Sequence, residues 1–205
     1  MTLTAPGFAR VTHVSRETMA RLEDYARLLA AWNRRINLVG RTTIGDVWQR
    51  HILDSAQLMA HLPPGTRRLV DLGTGAGLPG LILAILGVPE VHLIESDRRK
   101  AVFLAEAIRV TRSAARLHVS RAEAVPPFPA DIVAARACAG LTDLLALAMP
   151  FIGPTTLCLF HKGKTVGAEL TEAAKDWNMV AESLPSVADP AGCILKLEGV
   201  SRVER

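Results

Sequence analysis

From residue 15 to 32, Met19, Leu22, Ala26 and Leu29 recur at spacings of three and four, with Tyr25, Leu28 and Trp32 beside them. That spacing lines one face of a helix. Ser15 stands where an N-cap belongs, and Glu17 and Arg21 form an i,i+4 pair. A second stripe of the same period runs from Thr43 to His61 through Ile44, Val47, Trp48, Ile52, Ala56 and Met59. The sequence His61-Leu62-Pro63-Pro64-Gly65 stops it. After that break the rhythm changes. RRLVDLG (67–73), EVHLIES (90–96), LHVS (117–120), DIVAAR (131–136) and TTLCLFH (155–161) read as short apolar strands. Helical patterns over 78–86, 98–113, 141–149 and 166–177 separate them, with Pro79 in a first turn, where proline is tolerated. Two further strands fall at 179–186 and 193–199 with no long helix between them.

Strands alternating with helices of this length predict an α/β fold, a doubly wound, mostly parallel sheet with right-handed crossovers. The last two strands predict an antiparallel edge hairpin. Residues 1–64 read as an N-terminal helical extension and 65–205 as the α/β domain, the two forming one structural unit. A ligand crevice is expected at the carboxyl ends of the strands, near the reversal of strand order.

Composition narrows the class. The 205 residues are 49% hydrophobic and 21% charged, which describes a globular chain with a sizeable core. No apolar run reaches the length of a membrane span, and MTLTAPGFARVTHVSRE lacks the apolar region of a secretory signal. Cys138, Cys158 and Cys193 are far apart, without CxxC or metal spacing, and read as buried reduced thiols of a cytoplasmic protein. No metal site is expected. The net charge of +4 says little, but its distribution says more. Arg98, Arg99, Lys100, Arg109, Arg112, Arg116 and Arg121 cluster with only Glu106 among acids, and Arg34, Arg35, Arg41 and Arg50 stand against Asp46. Such clusters fit either a polyanion footprint or solvated helix faces.

The candidate chemistry lies in DLGTGAGLPG (71–80). Gly75-Ala76-Gly77-Leu78-Pro79-Gly80 is a literal GxGxxG, the dinucleotide fingerprint. Asp71-Leu72-Gly73-Thr74-Gly75 is an acidic-x-Gly-x-Gly, which suits S-adenosylmethionine. Glu95 follows at a distance suited to a ribose contact in either frame. Three observations favour the second frame. Gly73 directly follows the strand. Asp71 at the mouth of the turn would repel a pyrophosphate, which needs a helix N-terminus, and would attract a sulfonium. Arg121-Ala122-Glu123 follows the third strand, within reach of an adenine amine. The working part is then Asp71–Leu78, with Pro79 and Gly80 beginning the helix behind it. A second reading has Asp71 capping the turn through backbone N–H groups without touching ligand.

RHILDSAQL (50–58), DLGTGAGLPG (71–80), LIESDRRKAVFL (93–104), SRAEAV (120–125), ARACAGL (135–141) and HKGK (161–164) occur in this order, after WNRRINL (32–38). Together they resemble the GidB family, bacterial 16S ribosomal RNA guanine-N7 methyltransferases. Val39 and Glu95 depart from the residues more common there, a small polar side chain and an aspartate. The resemblance implies a Rossmann-like class I methyltransferase fold and S-adenosylmethionine as cofactor, with S-adenosylhomocysteine as product. It implies the 16S rRNA of the small ribosomal subunit as partner, and a cytoplasmic monomer without membrane or metal. It places Gly73, Gly75, Gly77 and Leu78 at the cofactor, Glu95 and Ser96 at the ribose, Ala122 and Glu123 at the adenine, and Arg136 beside the cofactor. Asn33, Arg50, His51 and Lys162 fall near the RNA or the reacting base.

Guanine N7 already carries an exposed lone pair, so the reaction requires no general base, and positioning should dominate. Lys162 is then a phosphate contact rather than an acid or base. Each residue also has a plainer reading. Arg50 pairs with Asp54 at i,i+4, Arg136 with Asp71 or Asp143, His51 is a hydrogen-bonded surface histidine, Lys162 and Lys164 are solvated, and Trp32 and Trp48 are core. Two rival functions remain: an NAD-dependent reductase, and a non-catalytic RNA-binding or ribosome-assembly module with a vestigial cofactor pocket. Against the reductase, the sole tyrosine, Tyr25, precedes the glycine turn.

Overall fold

A computed structural model describes residues 3–136 and 138–204. Ala137, within ARACAGL, lies outside the described residues. Five parallel strands form the body of one sheet: β1 (Arg68–Leu72), β2 (Glu90–Glu95), β3 (Arg116–Val119), β4 (Ala130–Arg136) and β5 (Ile152–Lys162). β6 (Trp177–Pro185) and β7 (Cys193–Arg202) add the antiparallel edge hairpin, with β7 paired to β5. The order is β3-β2-β1-β4-β5-β7-β6, so strand order reverses between β1 and β4.

The inner parallel strands β1, β2 and β4 and the second half of β5 are mostly apolar because both faces are covered, whereas the edge strand β3 (RLHV) has no buried residue. Alternate side chains feed two cores. Leu69, Leu93, Ile132, Ala134, Leu157 and Leu159 enter one, while Val70, Ile94, Val133, Ala135, Cys158 and Phe160 enter the other. The first core also holds α4 (Gly80–Ile85), α5 (Arg98–Thr111) and the N-terminal helices α1 (Ala5–Thr12) and α2 (Arg16–Asn33). The second holds α6 (Leu141–Ala148), with α7 (Val166–Ala173) beside it. Phe8, Leu22, Tyr25 and Leu29 of the N-terminal segment therefore share one core with the sheet.

The elements expected from the sequence are present with three differences. α1 is additional; Thr4 caps it by accepting from Gly7 N–H, and Pro6 lies in its first turn. The helical pattern ending at 177 stops at Ala173. The 43–61 stripe is a composite: a 3-10 turn (Ile44–Asp46), a π-helix (Trp48–Leu53), a short α3 (Asp54–Ala56) and a second 3-10 stretch (Gln57–His61). Asp54 N–H reaches back to the Gln49 carbonyl, the i→i−5 bond of a π turn.

Trp48 packs on Phe8 with ring centroids 5.6 Å apart, and Trp32 on Phe103 at 5.8 Å, so both tryptophans are core-packed. Tyr25 ties α2 to the glycine turn: its fully buried hydroxyl donates to the Ala76 carbonyl at 2.8 Å. Tyr25→Phe leaves that carbonyl unpaired, and should lower the unfolding free energy by about 1–2 kcal/mol in urea titrations. An unchanged midpoint would show that the bond carries no weight.

Candidate active site

β1 runs straight into the turn, where Gly73, Gly75 and Gly77 take φ of +60°, +59° and +84°. Such angles favour glycine. Thr74 N–H donates to the Ile94 carbonyl at 3.0 Å, fastening the turn to β2. Asp71 is fully buried behind it. Its Oδ2 accepts from Gly80 N–H at 2.7 Å and from the Thr74 hydroxyl. Burial pushes this carboxyl up to about 7 despite those bonds. The expectation that Asp71 faces a ligand sulfonium is corrected: it caps the turn from within. Gly80 is equally committed, because a Cβ there would lie 2.7 Å from Asp71 Cβ and 2.6 Å from Leu93 Cδ2. At Gly77 a Cβ would lie 2.8 Å from Leu81 Cβ and 3.1 Å from Leu104 Cδ2, so this glycine allows close packing of the helices.

A crevice of about 290 Å³ opens at the carboxyl ends of β1, β2 and β3. Gly73, Glu95, Ser96, Lys100, Ala122 and Glu123 line it. Glu95 is held rigidly, its Oε2 accepting from Gly75 N–H at 3.0 Å and its Oε1 from Asp97 N–H at 2.7 Å. Each oxygen keeps a second lone pair for a ligand hydroxyl. Gly75, Gly77, Leu78 and Arg136 do not form the crevice wall.

A larger cavity of about 470 Å³ lies beside it, at the ends of β4 and β5 and the start of β7. Its floor is Arg136, whose Nη1 reaches Asp54 Oδ2, His51 Nδ1 and the Arg50 carbonyl at 3.2–3.3 Å. Arg136 thus pairs with neither Asp71 nor Asp143. His161 Nε2 donates to the Asp54 carbonyl at 2.7 Å. Arg50 pairs with Asp189 at 2.9 Å rather than with Asp54, because the π turn breaks the four-residue register that an α-helix would have supplied. Lys162 is buried, its Nζ donating to Glu169 Oε2 at 2.8 Å and the Ala139 carbonyl at 3.0 Å. That corrects the plainer reading of Lys162 as a solvated lysine. Asn33 lies outside this cavity, its Oδ1 accepting from Leu38 and Val39 N–H at 2.9 Å to fix the loop after α2.

Cys138 lines both cavities and is exposed, not buried as the sequence suggested. Its Sγ would lie 2.5 Å from a Cβ built on Gly73, so the β4–α6 loop sits directly on the glycine turn. Cys158 is buried as expected, and Cys193 is half-buried. Sequence reasoning did not name Cys138, Lys100 or His161 as site residues although they lie within ARACAGL, LIESDRRKAVFL and HKGK, and for Glu169 and Asp189 it had no signal at all.

A crevice over a glycine turn at the strand-order reversal, in a sheet with this hairpin edge, defines the Rossmann-like class I methyltransferase fold. The ribosomal protein L11 methylase of Lactobacillus delbrueckii subsp. bulgaricus shares it, with a TM-score of 0.58 at 14% identity over 74% of this chain and 77% of that one. So does the M. jannaschii TYW2 solved in complex with AdoMet, with a TM-score of 0.55 at 17% identity over 78% and 80%. The GidB family model, described as rRNA small subunit methyltransferase G, matches residues 18–191, and the chain belongs to that family. It is 56% identical to the ribosomal RNA small subunit methyltransferase G of Rhodospirillum centenum, over 96% of this chain and 91% of that protein. Identity to the Rhodospirillum rubrum protein of the same name is 54%, over 98% and 100%.

His51 is buried in the second cavity wall. Arginine can only donate, so Nδ1 accepts from Arg136 and Nε2–H is left to donate to Thr43 Oγ1 at 3.0 Å. Burial first, then the charges of Arg136 and Arg50, hold this imidazole down at about 3. A depressed histidine stays neutral in the fold while the unfolded chain takes up a proton near pH 6.5. Its contribution to stability is complete above pH 6.5 and is lost as pH falls toward 3. His51→Gln should flatten the loss of stability across that window in urea titrations; a wild-type slope in the variant would contradict the assignment.

Proposed function

We propose that this protein transfers a methyl group from S-adenosylmethionine to N7 of a guanine in the 16S rRNA of the small ribosomal subunit, as a monomer in the cytoplasm. The observation that carries this reading is the meeting of two cavities at Cys138, one suited to a nucleoside and one to a base. The crevice fits the cofactor. Gly73 leaves backbone room, the Glu95 carboxylate is oriented by Gly75 and Asp97 amides for the ribose hydroxyls, and Ser96 stands beside it. Ala122 and Glu123 close the adenine end, while Gly75, Gly77 and Leu78 shape the turn. S-adenosylmethionine supplies an electrophilic methyl group on a positively charged sulfur.

The second cavity holds the base and keeps its N7 lone pair toward Cys138. No proton need be removed from N7. His51 has both nitrogens engaged, and Lys162 is paired, so neither acts as a base. The chain's contribution is orientation and exclusion of water. Arg136 and His51 build the cavity floor rather than touching the cofactor. Arg34, Arg35 and Arg41 are exposed and without ion-pair partners among the described residues, and supply phosphate contacts next to the loop that Asn33 fixes. The basic stretch 98–121 supplies fewer: Arg99, Arg109 and Arg116 are already paired with Asp97, Glu106 and Glu90. A reductase lacks its hydride-site acid, because the Tyr25 hydroxyl is buried on Ala76.

Calorimetry should show binding of S-adenosylhomocysteine and none of NADH. Tritiated methyl transfer to small subunits lacking the modification, followed by chain cleavage at N7-methylguanine, should give one labelled position. Binding of NADH alone, or label absent from guanine N7, would contradict the proposal.

A further inference from the structure

The second cavity contains three ion pairs, Arg50–Asp189, Arg136–Asp54 and Lys162–Glu169. Its cations are therefore matched by carboxylates. Such a site suits a neutral ligand with donors and acceptors along one edge, not a phosphate.

The three carboxylates are not equivalent. Asp54 is nearly buried and already accepts from Gln57 Nε2 and Arg136, with His161 and Ser186 against it. Glu169 accepts from Lys162, Leu141 N–H and Thr165. Asp189 is ion-paired with Arg50 Nη1 through Oδ2 and accepts from Ala191 N–H on Oδ1, and its side chain is 32% exposed. It retains a free lone pair on each oxygen. Asp189 also lies in the β6–β7 connection. Along the sheet the order β1, β4, β5, β7 runs from the cofactor crevice, past Cys138, to the Asp189 end.

Guanine presents N7 from its five-membered ring, and N1–H and the exocyclic amine from the far side of its six-membered ring, with O6 beside N1. Cys138, Arg50 and Asp189 line the same cavity, so a base with N7 at Cys138 has room to set that second edge against Asp189 and Arg50. The pair offers two acceptor oxygens beside a guanidinium donor, which matches two N–H donors beside O6. Adenine offers the reverse pattern, with an acceptor at N1 and a donor at the amine. We infer that the Arg50–Asp189 ion pair reads the Watson–Crick edge of the target guanine, with Asp189 accepting from N1–H and the exocyclic amine and Arg50 donating to O6. The inference rests on the guanine-N7 reading above and names the residues that give it base specificity.

The test uses small subunits reconstituted with 16S rRNA that carries either guanine or inosine at the mapped position. Inosine keeps N7, O6 and N1–H and lacks the exocyclic amine. The wild-type protein should prefer guanine roughly tenfold in kcat/KM, as one lost bond of a bidentate pair implies. Asp189→Ala and the shape-preserving Asp189→Asn should both lower kcat/KM on guanine by tenfold or more and bring the guanine-to-inosine ratio near one, with S-adenosylhomocysteine affinity unchanged. Variants that keep the wild-type rate, or lose rate while keeping the wild-type ratio, would overturn the inference, the latter by showing a merely structural role. A wild-type protein that methylates no guanine N7 would instead overturn the function on which it rests, before any variant is compared.

Discussion

Everything at the site depends on one buried carboxylate. Asp71 gives up its hydration at the end of β1 and recovers part of that cost from Gly80 N–H and the Thr74 hydroxyl. Those bonds bend the chain back on itself and fix where α4 begins. Three further tethers hold the turn from other elements: Tyr25 of α2 on the Ala76 carbonyl, Ile94 of β2 on Thr74 N–H, and Glu95 on Gly75 N–H. A loop held from behind in this way presents backbone to a ligand without needing a ligand to order it. Glu95 does two jobs, since the carboxylate that fastens Gly75 also lines the crevice.

Charge divides the molecule by task. Inside the second cavity each arginine and lysine meets a carboxylate, and burial with neighbouring arginines keeps His51 neutral. Outside, Arg34, Arg35 and Arg41 remain free of ion pairs among the described residues. Phosphates fix position and base edges specify, and under the proposed function the two kinds of contact fall to different residues. The π-helical turn at Trp48–Leu53 makes this separation possible: it turns Arg50 toward Asp189 and leaves Asp54 for Arg136.

Most of the fold was legible because its signals are local. Strands covered on both faces carry apolar runs, as 69–70, 132–135 and 157–160 do in β1, β4 and β5, while the edge strand β3 was legible from its place after the helical pattern over 98–113. The glycine turn was legible for the same reason, since Gly73, Gly75 and Gly77 need angles that other residues resist. The composite character of 43–61 was not, because an apolar stripe of helical period does not report whether the backbone bonds close after four residues or five. α1 escaped notice because it is short and buries little beyond Phe8. The ion pairs were illegible because their partners are set by tertiary contact: Asp189 is far from Arg50 in sequence, and Glu169 reaches Lys162 only once α7 folds over β5. Asp71 shows how a motif misleads. The acid is required there, but by the turn rather than by the ligand.

The central claim is that the cofactor crevice and the base cavity meet at Cys138, and alkylation of that thiol tests it directly. Cys138 is exposed on the shared wall, whereas Cys193 lies only in the second cavity. With S-adenosylhomocysteine at about ten times its Kd, labelling of Cys138 read by mass spectrometry should slow roughly tenfold, as occupancy dictates, while Cys193 labels at its original rate. Equal labelling of Cys138 with and without bound S-adenosylhomocysteine would place the cofactor elsewhere and contradict the account.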